Sequence, residues 1–480
     1  FMDSEKKPYI TCKPWQLLLW PCHSATSNFF MILMMFTSYI ATGGYGILVA
    51  TVGYIATATR LLDGFIDPFL VMLTDRVNSK FGRVRILIIL GRGIQILTVF
   101  AMFFWGIGGG IVAYTAIYAV YVIGASISAI ATHTGNPVLT TDPKQRPKIF
   151  RWQIIYSTVF GAIFQMVLST LLLPKYGELS VPLFQEMAIL VAVIAVVFEV
   201  LAMIGISPAD KPGNFPKKAN NKNVNFKDMW NLLTGNRAMQ MYVISAVSDK
   251  IASQASTQAA ITTLIYGIVI ANYEFSGAFQ AYTMIPNILI ILLGTQLMGR
   301  TGGKKALVQW TAVSAIISAV IVIFMTVIDP TSISQAAVPT VIFLVLCIAQ
   351  SAAVKMTSAV TNSLVPDIVD YELARTGSFM PGTVGTLYSF IDELLSSLST
   401  TIVGLCLTAI GYVSAQPQPG DPCTAPVYWM AMFLWMGLPI LGWICTLIAM
   451  HWYPLTKEKM EEVEQTNARI RAERAAAKSE

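Results

Sequence analysis

The chain has 480 residues, of which 55% are hydrophobic and 12% charged; a soluble domain carries about 25% charged residues. That excludes a water-soluble enzyme. The apolar residues run in blocks of about 20 and do not alternate with polar ones, which excludes a membrane β-barrel and predicts an all-α polytopic membrane protein. The net charge of +6 is scattered through short segments, so a nucleic-acid surface is not expected.

In chain order, a polar tail over 1–14, containing DSEKKPYITCK, leads straight into an apolar run, and no cleavable leader is expected. Hydropathy and Gly, Pro or charge breaks then predict twelve spans, at 15–40, 45–73, 86–107, 110–138, 153–173, 182–206, 238–270, 277–299, 306–328, 338–365, 381–413 and 427–453. The polar stretch SPADKPGNFPKKANNKNVNFKD falls within a linker at 207–237, between six-helix bundles at 15–206 and 238–453; a charged tail fills 454–480. The loops echo each other: TDRVNSKFGRVR follows the second span and GRTGGKKALV the eighth, as expected of a carrier built from repeats. With a cytoplasmic N-terminus, 27 of the 32 Lys and Arg lie inside, Lys175 lies outside, and Arg60, Arg92, Lys250 and Lys355 lie within spans. This asymmetry predicts that both termini and the linker are cytoplasmic. Six cysteines without CxxC spacing support neither a disulfide framework nor a zinc site.

A charge at the bilayer centre costs about 2.5–3.5 kcal/mol on insertion scales. The second span holds three, Arg60, Asp63 and Asp67, in TRLLDGFIDPFLVMLTDR. Spacings of three and four put all three on one helical face with the carboxylates one turn apart. Counting back from Asp75 at about 1.5 Å per residue places Asp67 about 12 Å and Asp63 about 18 Å deep. Two such carboxylates cannot both stay ionised without a cation. They read as a coupling site for H+ or Na+, becoming metal ligands if the ion is Na+; no further cofactor is expected. A structural alternative pairs Arg60 with Asp63 and leaves Asp67 lining a wet cavity. A magnesium-dependent prenyltransferase would also use DxxxD, but no second acid-rich motif accompanies a span.

The segments RLLDGFIDPFLVMLTDRVNSKFGRVR, TTDPKQRP, PDIVDYELARTGSF and GTLYSFIDELL resemble the glycoside-pentoside-hexuronide:cation symporters, the melibiose-permease-like family of the major facilitator superfamily. The resemblance covers nearly the whole chain. It implies twelve transmembrane helices in two pseudo-symmetric bundles and alternating access in a bacterial inner membrane. The activity it implies is symport by a monomer of a sugar, glycoside or related small hydrophilic metabolite, without enzyme chemistry. Asp63 and Asp67 match the family's cation-binding acidic pair, and Arg60 the arginine before it. Asp75, Arg76, Gly82 and Arg83 resemble the superfamily's loop motif, a charge-and-cap latch; alternatively, the basic residues merely obey the inside rule. Asp142 and Arg146, and Asp367, Asp370 and Tyr371, resemble the other family loops, with gating or structural roles.

The departures bear on the cargo. Ile66 stands where sodium-using relatives carry a polar residue. Glu393, beside Asp392, occupies the place of a family lysine, and Ser27 and Asn28 fall where the family's sugar-binding acid would be. If Glu393 faces Asp63 and Asp67, the shared cavity favours a proton or a cationic substrate, so an exchanger or exporter of an organic cation or zwitterion is the alternative cargo reading. Lys355 and Lys250, the latter next to Asp249, are candidates to offset the acids, or Lys250 snorkels to an interface. Of His23 and His133, a lone intramembrane histidine is more often a helix–helix hydrogen-bond partner than a proton relay. Trp20, Trp152, Tyr39, Tyr156 and Tyr388 are available to stack on a sugar ring. The substrate-cavity set is Ser27, Asn28, His133, Trp152, Lys355, Tyr388, Asp392 and Glu393.

Overall fold

The computed structural model describes residues 11–74, 79, 81–140, 145–211, 226–297, 303–377 and 381–476. Among these residues the chain is helical, without strands. The N-terminal helices are α1 (Pro14–Leu19), α2 (Cys22–Met35), α3 (Thr37–Tyr45), α4 (Val49–Thr74), α5 (Arg83–Phe100), α6 (Gly110–Leu139), α7 (Arg146–Val167), α8 (Leu173–Tyr176) and α9 (Val181–Ile206). There follow α10 (Phe226–Gly235), α11 (Arg237–Ser256), α12 (Ala259–Thr262), α13 (Glu274–Leu297), α14 (Gly303–Val327), α15 (Ser332–Gln335) and α16 (Ala337–Thr376). The chain ends with α17 (Pro381–Ser396), α18 (Leu398–Ala409), α19 (Ala425–Met432), α20 (Leu438–Trp452) and α21 (Lys457–Ala476). Two compact units result. The first comprises Phe1–Ala219 with Tyr273–Met284 and Leu407–Asp421; the second comprises Asn220–Asn272, Ile285–Cys406 and Pro422–Glu480.

A hydrocarbon solvent leaves backbone groups no partner but each other, so apolar runs of this length become helices. Their sidedness is the reverse of a soluble protein's. On α9, Val193, Val196, Val197, Val200 and Ile204 are exposed, while Ala192, Ala195, Glu199 and Ala202 are buried. A face of bare valines suits lipid and would be an aggregation site in water. By length and composition, nine helical stretches among the described residues can cross a membrane, or ten if Ala259–Val269 and Glu274–Leu289, bent by 112°, form one span. α4 and α11, which carry Arg60, Asp63, Asp67, Asp249 and Lys250, stand outside that set. At 26 residues, α4 is about 39 Å long and passes the roughly 30 Å needed to cross.

Several spans are broken. The first divides at Pro21 and again at Phe36, where the backbone leaves helical geometry, and the seventh divides after Ser256. Single π-turns lie at Ala101–Trp105, Leu168–Leu172 and Phe433–Gly437, and a longer one at Thr263–Val269.

In the first unit α5 packs most extensively on α6, α2 on α9 and α7, and α4 on α6. The α5–α6 approach needs two glycines. A Cβ on Gly91 would lie 2.6 Å from Ser128 Oγ and 2.8 Å from its nitrogen, and one on Gly124 would lie 3.0 Å from Gly91 O. Small residues let the backbones close up, as membrane helix pairs require. In the second unit α11 packs on α20 and α17, α14 on α16 and α20, and α21 on α16.

Candidate functional site

On α4, Asp63 is half-buried and Arg60 exposed. Ser126 of α6 donates its hydroxyl to Asp63 Oδ1 at 2.6 Å, the length of a charge-assisted O–H···O− bond. Asp67 lies one turn on, on the same helix; its side chain is outside the described set. Tyr118, also on α6, lies within electrostatic reach of both Arg60 and Asp63. Among the described residues no group of three or more His, Cys, Asp or Glu gathers as a metal cage.

The first unit also holds a polar network that sequence reasoning did not assemble. Arg92 Nε donates to Glu199 Oε1 at 2.7 Å, its Nη1 to Gln95 Oε1 at 2.6 Å and its Nη2 to Ser27 Oγ at 2.8 Å. His23 Nδ1 sits 2.8 Å from Glu199 Oε2, and the His23 ring stacks on Trp20. Arg92 and Glu199 are 3% and 4% exposed and His23 fully buried, so the set is internal to the bundle. Arg92 in GRGIQIL and Glu199 in VVFEVL are charges within apolar runs. The rule that singled out α4 also applied to them.

Of the proposed cavity residues here, Ser27 is half-buried and engaged by Arg92, and Asn28 Nδ2 donates to Ser157 O at 2.8 Å. His133 is exposed, and Trp152 meets Tyr156 edge-on at 6.2 Å. Trp20 is fully buried and donates to Asn136 Oδ1 at 2.8 Å, and buried Tyr39 donates to Pro417 O at 2.9 Å. Neither ring is open to a sugar.

In the second unit Lys355 donates to Asn287 Oδ1 at 2.7 Å and to Ser351 Oγ at 3.1 Å, and Ser351 Oγ also donates to Asn287 Oδ1 at 2.8 Å. The sequence offered Lys355 as a counter-charge for acids; its partners within this unit are neutral. Lys250 lies 3.6 Å from Asp392 Oδ2. Its neighbour Asp249 turns to Trp443, whose indole N–H donates to it at 2.7 Å. Tyr388 packs on Tyr242 with ring centroids 5.2 Å apart, and Glu393 is half-buried.

Of the loop residues, Asp75, Arg76 and Asp142 lie outside the described residues, as does the side chain of Arg146 at the first turn of α7. Gly82 precedes α5 at φ 107°, and a Cβ there would run into the Asp210 carboxylate. Asp210, 1% exposed, accepts Val84 N–H at 3.1 Å, Arg85 N–H at 3.0 Å and Arg85 Nε–H at 3.3 Å. Its oxygens satisfy the open donors of the helix N-terminus. Arg83, half-buried, opens α5. At the far end of α16, Asn467 of α21 donates to Asp370 O at 2.9 Å, and Asp367 is half-buried. The neighbouring Glu372 receives Asn236 Nδ2 at 2.7 Å and Arg375 Nη2 at 3.0 Å.

Residues 23–457 match the family model described as MFS/sugar transport protein. The chain belongs to that family. It is therefore a multi-pass membrane transporter of the major facilitator class and not an enzyme. Among curated proteins it is 22% identical over 448 residues to the putative glycoside/cation symporter YagG of Escherichia coli K12, covering 92% of this chain and 91% of that one. It is also 22% identical to the uncharacterized symporter YnaJ of Bacillus subtilis 168, covering 88% of each. Among solved structures, the nucleoside transporter NupG superposes with a TM-score of 0.59 at 11% identity, covering 92% of this chain and 100% of the other. That likeness shows the fold alone.

Proposed function

We propose that the protein is a secondary active symporter that couples H+ or Na+ to uptake of a sugar, glycoside or related small hydrophilic metabolite. The observation that carries this is Asp63: a half-buried carboxylate on α4, a helix long enough to cross a membrane, bonded by Ser126 and one turn from Asp67 on the same helix. Intramembrane carboxylates in transporters mark ion pathways. Two of them one turn apart hold a proton between them, or a sodium ion by their oxygens, according to the ion gradient. The name of the relative YagG, a putative glycoside/cation symporter, supports both halves of the reading. Lys355 in its Asn287 and Ser351 cradle supplies ammonium donors of the kind that bind sugar hydroxyls. The inner membrane of a bacterium, with both termini cytoplasmic, is the setting that the distribution of lysine and arginine supports.

The test is uptake of a panel of labelled glycosides into proteoliposomes under an imposed pH or Na+ gradient. One gradient is expected to drive accumulation in the wild type. Asp63→Asn and Asp67→Asn are expected to abolish accumulation while leaving passive exchange of the same glycoside. Undiminished gradient-driven uptake in both variants refutes the coupling assignment, and accumulation of organic cations alone refutes the substrate class.

A further inference from the structure

His23 and Glu199 form a contact that the transport reading does not use. Nδ1 of His23 sits 2.8 Å from Glu199 Oε2, while Nε2 sits 3.2 Å from the backbone oxygen of Ser128. A carbonyl oxygen can only accept, and Thr132 Oγ1 donates to the same oxygen at 3.3 Å. An ionised carboxylate can also only accept. A neutral imidazole has one N–H. Whichever nitrogen carries it, the other presents a lone pair to an oxygen acceptor in a site closed to water, where His23 is fully buried and Glu199 4% exposed. Unsatisfied buried polar contacts of that kind are costly. Two arrangements satisfy both contacts. In one the ring is an imidazolium and the carboxylate ionised; in the other a protonated Glu199 donates to Nδ1 while Nε2–H donates to Ser128 O. Both contain the same number of protons.

We propose that His23 and Glu199 form a proton-binding site, together holding one proton more than a neutral imidazole beside an ionised carboxylate. The surroundings are consistent with this. Arg92 on α5 binds the other carboxylate oxygen, Oε1, at 2.7 Å, leaving Oε2 to His23. Among the described residues, the titratable groups around the cluster are Cys22, next to His23 on α2, which feels Glu199, and Tyr121 on α6, beside Arg92 and Gln95. On α7, Tyr156 faces Cys22. None of these brings a second carboxylate to the pair. The site is built from residues other than Asp63 and Asp67, and its test reads His23 and Glu199 rather than coupling.

The test is nitrogen-15 NMR of histidine-labelled full-length protein in lipid bilayers. The chain has three histidines, and His133 and His451 are exposed; His133→Asn and His451→Asn therefore assign the His23 signals without touching the site. Spectra are recorded at about pH 8, above the ordinary histidine range of about 6.5. Infrared difference spectra of wild type and Glu199→Gln read the carboxyl group of Glu199. Either both His23 nitrogens carry protons, or His23 is the neutral Nε2–H form and a protonated-carboxyl band is lost in Glu199→Gln. A neutral His23 with no such band overturns the proposal. Should Glu199→Gln fail to fold, the melting temperature of wild type and His23→Gln across about pH 6 to 9 is the second measurement. A proton held by the folded state adds stability at low pH that is lost as pH rises. The wild type is expected to lose more melting temperature over that range than His23→Gln; equal slopes overturn the proposal. The same His23 pattern in Asp63→Asn protein is expected even if Asp63 has no part in coupling.

Discussion

Removing one member of the Arg92–Glu199 pair is expected to cost far more than half of what removing both costs. The two side chains are 3% and 4% exposed and joined at 2.7 Å. Arg92→Met takes a donor from Glu199 and also from Gln95 and Ser27, which it holds at 2.6 and 2.8 Å. Glu199→Gln leaves a guanidinium among helices with no formal counter-charge. Breaking a buried pair from one side costs about 3–5 kcal/mol, because a lone charge is left in a low-dielectric place. If the two losses were independent, the double variant would lose about 6–10 kcal/mol; with both charges of the pair gone and His23 free to release its proton and stay neutral, it is expected to lose about 3–5 kcal/mol, as either single does. Equilibrium unfolding in mixed micelles, run as a double-mutant cycle, reads the difference as a coupling of about 3–5 kcal/mol. Additivity within about 0.5 kcal/mol would mean that the two groups do not sense each other and would refute the network.

Asp210→Ala is expected to cost about 0.5–2 kcal/mol as a lost helix cap, with faster amide exchange at Val84 and Arg85, the two N–H groups it accepts; unchanged exchange there counts against the cap. Gly82→Ala is expected to lower the melting temperature, because its φ of 107° is strained for alanine and the new Cβ meets Asp210; part of that loss is relieved in the Asp210→Ala background, and full additivity would place the strain elsewhere. Gln418 accepts Leu179 N–H at 2.9 Å and donates to Leu179 O at 3.2 Å, both within the first unit. Gln418→Ala strands two backbone groups of a residue 3% exposed, a loss of about 1–3 kcal/mol, read as about fivefold or greater acceleration of Leu179 amide exchange.

The all-helical architecture was legible in the sequence because it rests on short-range pattern: spans show as unbroken apolar length. The spacing of Arg60, Asp63 and Asp67 is equally local, and α4 runs as a helix through all three positions. Partners were not legible, because they are set by which helices touch. Ser126 is 63 residues from Asp63, and Glu199 is 107 from Arg92. A single chain records that each charge needs a reason without saying which residue supplies it. Trp20 and Tyr39 were counted among possible sugar platforms, since an aromatic residue in an apolar run reads the same whether it lines a cavity or packs between helices. Asp210 lay in a stretch read as linker, and its polar neighbours disguised a buried cap that closes α5 from 126 residues away. The break at Phe36 carries no Pro or Gly signal, whereas the one at Pro21 does.

Lys355 offers the sharpest contrast between a charge that stabilises and one kept for another purpose. Arg92 sits in a closed set with a carboxylate, and its loss leaves partners stranded. Lys355 is half-buried and, among the described residues of its unit, donates to the side-chain oxygen of Asn287 and the hydroxyl of Ser351. Removing its ammonium strands nothing, since Ser351 Oγ already donates to Asn287 Oδ1 at 2.8 Å. An ammonium so placed gives up hydration without gaining an ion pair. Lys355→Met fills the same length with an apolar chain and is expected to melt no lower than the wild type. If the ammonium is held for cargo, uptake of the transported glycoside falls about tenfold or more in that variant, the worth of about 1.4 kcal/mol in substrate binding. Unchanged uptake would remove Lys355 from the substrate site, and a melting loss as large as that of Arg92→Met would make it a structural charge.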